Sequence, residues 1–169
     1  METINLFLAI AEIAGVFVGF GALISVTRSS EIEISQLGRI RAVVTIGLLV
    51  IIAALIPVIL SNYGLNGHDL WVISSLVFLI LNWAGIILSL RRPENRMLMK
   101  TQSRESPLMT VLFWFLLEIP VQLPLVLILI GLWSELEPAF YTTALVFNLF
   151  EAAFVLVQLV YAQVNPTSE

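Results

Sequence analysis

A chain of 169 residues that is 59% hydrophobic and 12% charged, with a mean hydropathy of +1.00, has no room for a water-soluble domain. It contains no cysteine, which excludes a disulfide framework, a thiol nucleophile and a thiolate metal site. The formal net charge of −4 conceals an asymmetry, because all 8 Lys and Arg fall in two hydrophilic gaps, residues 28–41 and 91–104. Basic loops of this kind rest against anionic lipid headgroups, and no nucleic-acid partner is expected.

The gaps separate apolar blocks, each about the ~20 residues needed to cross ~30 Å of hydrocarbon. The first, residues 4–27, follows Met1-Glu2-Thr3, which lacks a basic n-region, and it is too long for a signal-peptide core, so it is expected to persist as a helix. Glu12, Gly15, Gly19 and Ala22 lie on one side of it. Small residues at that spacing admit a second helix, which places Glu12 in a packed interface. A capping pattern at Ser30 and Glu33 precedes the second block, residues 40–61. That block carries little polar matter beyond Pro57 and is expected to be a peripheral helix, with Leu49 and Ile52 facing lipid or a neighbouring subunit.

His68, the only histidine, follows Asn66-Gly67 and reads as a turn residue; Asp69 can cap the third block, residues 70–90. Ser75, Asn82 and Ser89 share approximately one face of that block. The stretch 93–100 mixes charges with an apolar triplet and fits either a short interfacial helix or a solvated basic loop. Ser106-Pro107 opens the fourth block, residues 108–133, which contains Glu118-Ile119-Pro120-Val121-Gln122-Leu123-Pro124. Each proline removes the hydrogen bond to the carbonyl four residues earlier, so Leu116 and Pro120 are left with free carbonyls near Glu118 and Gln122. Glu137-Pro138 opens the fifth block, residues 139–162, and Asn165-Pro166 stops it. Asn148, Glu151, Val155 and Gln158 share a face there.

The expected fold is therefore an all-α membrane domain with five transmembrane helices. Merging the blocks that flank a basic gap would bury several Arg at about +2.5 to +3.5 kcal/mol each. Basic residues in short loops stay cytoplasmic, which puts the N-terminus outside and the C-terminus inside. Tyr63, Trp71, Trp133 and Tyr141 then fall at outer ends, as an aromatic belt would.

Counted along the helices, Asn82, Glu118, Gln122, Asn148 and Glu151 lie about 15 to 22 Å below the outer ends, and Glu12 roughly 10 to 12 Å. The first five form a midplane layer expected to face a shared interior, and Glu12 lies nearer the outside. With no Lys or Arg inside the spans, the carboxylates must be protonated, hydrated, hydrogen-bonded or bound to a cation. Amides such as Asn82, Gln122, Asn148 and Gln158 also serve simply as glue between helices, at about 0.6 kcal/mol per contact.

An enzyme is disfavoured. The chain offers no second histidine for a metal pair, no His-containing triad and no Gly-rich phosphate loop, and no cofactor is implied. The expectation is a bacterial inner-membrane type of plasma-membrane protein that conducts or transports protons or small cations as a homo-oligomer, using Glu118, Glu151 and Glu12. The alternative is a non-transporting membrane subunit, or a binder of small apolar ligands, that acts through a partner protein.

Overall fold

The computed structural model describes residues 2–27, 34–91 and 107–164. The Ser30 and Glu33 cap, the 93–100 stretch and the Asn165-Pro166 stop lie outside them. Five long helices follow in order: α1 Glu2–Thr27, α2 Ile34–Asn62, α3 His68–Arg91, α4 Pro107–Leu129 and α5 Glu137–Val164, with a single 3₁₀ turn at Ser134–Leu136. Four of them are long and apolar enough to cross a membrane, and α4 adds a shorter apolar stretch over Phe115–Leu129. Pro107 is the first helical residue of α4, where its missing N–H costs nothing. Asp69 falls one residue inside α3 rather than before it, so it acts on the helix N-terminus by charge.

The fourth predicted span runs four residues too far, because α4 ends at Leu129. Gly131, at φ +70, ends it: its N–H bonds to the Ile128 carbonyl at 3.0 Å and that of Leu132 reaches back to Leu127 at 3.1 Å. This pairing satisfies two terminal carbonyls and needs a left-handed residue. Gly64, at φ +88, ends α2 in the same way, with bonds from Gly64 to Ser61 and from Leu65 to Leu60.

Successive helices run antiparallel. Gly47 lies against Val18 and Gly21 against Val44; Tyr141 meets Ala53 at one end of the α2–α5 pair and Arg39 meets Gln158 at the other. The interior helices are α2 and α5. The α2 helix packs on α1, α3 and α5, and α5 packs on all four others. The expectation of a peripheral, lipid-facing second span is thus overturned: Val43, Val50, Ala53 and Ala54 are all fully buried, and Leu49 is half-buried, while Ile52 remains exposed. The physical reason is that lipid tails are as apolar as leucine, so hydrophobicity does not rank helices by position. Small side chains that let backbones approach do.

The close approach of α1 to α2 occurs at Gly21 and Gly47. A Cβ on Gly47 would sit 2.6 Å from the Val18 Cγ2 and 3.3 Å from the Ala14 carbonyl oxygen. Gly15 and Gly19, the pair expected to pack, meet nothing within 4 Å. They lie on the opposite side of α1, and Glu12 is exposed with them rather than held in an interface within the chain. Gly47→Ala should therefore weaken the bundle by about 1 to 3 kcal/mol, because Val18 is stiff and cannot step aside. Gly15→Ala should leave stability unchanged or slightly raised through helix propensity. Unfolding of the two variants in detergent, followed by circular dichroism, checks this; equal midpoints would mean that the helices do not meet at Gly47.

The core is aromatic at the end carrying the short connections. Phe7, Trp71 and Phe78 pack their rings around Tyr141 with centroid separations of 5.7 to 5.9 Å. Tyr63 and Trp133 are exposed, as belt residues are, but Tyr141 is fully buried and Trp71 half-buried. The Tyr141 hydroxyl donates to the Ala53 carbonyl at 2.7 Å. That carbonyl is available because Pro57, four residues on inside α2, has no N–H to offer it.

Candidate functional site

The polar residues divide into three groups. Glu118 and Gln122, one turn apart on α4, are half-buried, and the Gln122 Nε2 donates to Glu118 Oε2 at 2.9 Å. With Trp83 and Ile86 of α3 and Phe115 and Ile119 of α4, they line a groove of about 430 Å³. Trp83, Phe115 and Ile119 are exposed, so the groove opens sideways onto the flank of the bundle. Prolines 120 and 124 lie within α4, and Pro124 is buried toward α5 together with Val121 and Leu125.

Glu151 of α5 is half-buried, like Glu118, and their two helices pack on one another. Asn148, one turn earlier on α5, is 1% exposed. Asn148 Nδ2 and Oδ1, Asn82 Nδ2 and Ser75 Oγ are buried with no hydrogen-bond partner among the described residues. Buried polar atoms are nearly always satisfied, by protein or by ordered water. By rise along the helix, Ser75, Asn148 and Asn82 lie about 10, 16 and 21 Å below the first residues of α3 and α5, so their unmet hydrogen bonds are spread in depth from that end to the middle. Ser89, the third member of the α3 stripe, is exposed.

Gln158 lies apart from the layer, near the far end, where its backbone carbonyl accepts from Arg39 Nη1 at 3.4 Å. Glu12 is apart as well, on the outer side of α1. The layer is thus drawn from α3, α4 and α5, and α1 contributes nothing to it.

Sequence reasoning missed a contact between the two short connections. His68 is the first residue of α3 rather than part of the turn, and its Nδ1 meets Glu137 Oε1 at 2.5 Å. Glu137 is only 1% exposed. A glutamate directly before Pro138 at a helix start reads as a capping charge, and nothing along the chain reveals that the histidine 69 positions earlier covers it. The role of Tyr141 was more accessible. The proline argument that frees carbonyls in α4 also frees Ala53, and a tyrosine at an equivalent depth is the natural donor.

Among the described residues, no group of three or more His, Cys, Asp or Glu comes together as a metal site. Comparison with known proteins finds no matching family model, no matching curated protein and no matching solved structure.

Proposed function

We propose that this chain is a multi-pass plasma-membrane protein of the bacterial inner-membrane type that conducts or transports protons or small cations. Glu118 and Glu151 are the groups that exchange a proton or hold a cation, and Asn82, Gln122 and Asn148 support them. The observation that carries this reading is the placement of two half-buried carboxylates, Glu118 and Glu151, near the middle of two helices that pack on one another. Carboxylates there are costly, and as packing glue an amide would serve at lower cost. The unmet hydrogen bonds of Ser75, Asn148 and Asn82 add to it, since a hydrated way in from the outer end would satisfy them. Proton and cation flux into liposomes tests the proposal.

Assembly as a homo-oligomer belongs to the same reading. Glu12 is exposed next to Gly15 and Gly19, whose Cβ positions are open, so a second copy has a face on which to pack closely. The same face supports the second reading, a non-transporting subunit whose output is a partner protein.

The proposed orientation has the N-terminus outside and the C-terminus inside, with the basic gaps in the cytoplasm against anionic lipid. Because the chain has no cysteine of its own, single cysteines report cleanly. Those introduced at Asn66 and Ser134 should react with an impermeant thiol reagent added to intact cells, and one at Ser103 should not. The reverse pattern would overturn the orientation.

A further inference from the structure

The groove between α3 and α4 has a chemistry of its own. Glu118 is the middle residue of α4, about 16 Å from either end, and the groove's exposed rim is formed by side chains on the flank of the helices. A ligand can therefore reach Glu118 sideways through the hydrocarbon, and one that takes this route must itself be soluble in lipid. The polar atoms it would meet are acidic or accepting. Gln122 spends one of its two N–H on Glu118 Oε2, and its carbonyl oxygen and the carboxylate are the acceptors that the two residues bring to the groove they line. Among the described residues, no Lys, Arg or His lines the groove.

We propose that this groove binds an amphiphilic monocation, with its charge against Glu118 and its apolar body against Trp83, Ile86, Phe115 and Ile119. The two aromatic rims suit a cation in a desolvated setting, since the faces of Trp and Phe attract positive charge. About 430 Å³ falls in the size range of sites for small organic ligands. A bare Na⁺ or Ca²⁺ would need several oxygens around it, and among the described lining residues the groove supplies side-chain oxygens from Glu118 and Gln122 alone. A zwitterionic lipid headgroup would bring a phosphate for which the groove's described lining has no basic partner. Like the conduction reading, the proposal uses Glu118, but it does not require the chain to conduct.

Tetraphenylphosphonium is a suitable probe, and equilibrium dialysis against the full-length protein in a non-ionic detergent reads its binding without any gradient. Saturable binding of about one cation per chain is expected, with at least about tenfold weaker affinity in Glu118→Gln and a smaller loss in Trp83→Leu. Tetraphenylborate, of the same shape and opposite charge, should not bind saturably. That comparison uses the unaltered protein and stands even if a variant fails to fold. Absence of saturable binding, equal binding of the anion, or full affinity in a folded Glu118→Gln would overturn the proposal. Because dialysis measures no flux, its failure leaves the conduction reading intact, and a protein that binds the cation without conducting supports this inference alone.

Discussion

Glu151→Gln should yield a folded protein whose proton and cation flux falls to the level of empty liposomes. The substitution keeps the shape of the side chain and one carbonyl oxygen but removes the group that can titrate or carry charge. Glu118→Gln should do the same from the other side of the α4–α5 contact, because the proposal gives both carboxylates the same role. If the layer is only glue, the outcome is different in kind. Both variants should then be nearly neutral in stability or slightly stabilised, since each removes the risk of a buried charge. Flux is measured over a range of pH and membrane potential, with folding checked by size in detergent and by helicity. A folded wild type that conducts nothing would move the assignment to the partner-subunit reading, and unchanged flux in both variants would remove these glutamates from any mechanism.

Tyr141→Phe should cost about 1 to 3 kcal/mol, a large effect for the loss of one oxygen, because it leaves the buried Ala53 carbonyl without a donor. The cause is specific and separable. Pro57 is what freed that carbonyl, so Pro57→Ala supplies the missing N–H and restores the bond within α2. In the Pro57→Ala background, Tyr141→Phe should therefore lose most of its cost. The four proteins form a double-mutant cycle, read as unfolding midpoints in detergent, and the coupling should be well above the ~0.3 to 0.5 kcal/mol scatter of independent sites. Additive effects would show that the hydroxyl and the proline act separately, and that the aromatic packing of Phe7, Trp71 and Phe78 alone holds Tyr141 in place.

The contrast between Tyr141 and Trp133 shows where sequence reading stops in this molecule. Both were placed at an outer helix end, and by chain position they are equivalent. One is fully buried and the other 60% exposed. Depth along a helix follows from counting, since every residue adds a fixed rise. The side of the helix on which a residue ends up depends on which neighbours approach, and a span that is apolar all round carries no stripe to announce it.

For the same reason the layer was legible in part. That Asn82, Glu118, Asn148 and Glu151 lie deep in their helices could be counted from the chain. That Asn82 and Asn148 are buried, that Glu118 turns toward a lateral groove with Gln122, and that Glu12 faces outward all required the packed bundle.

What the sequence determined by itself was everything set by composition and linear spacing: an all-helical chain of apolar segments long enough to span a membrane, the approximate ends of those helices, the position of each polar residue along them, and the carbonyls that proline leaves free. What only the tertiary structure decided was azimuth and neighbourhood. It made α2 an interior helix because Gly47, Ala53 and Ala54 let others come close, moved the glycine contact from Gly15 and Gly19 to Gly21 and Gly47, and joined His68 to Glu137 across the two connections. The hydrophobic effect that sorts inside from outside in water is absent between helices in lipid, so small differences in shape and the satisfaction of single hydrogen bonds choose the arrangement instead.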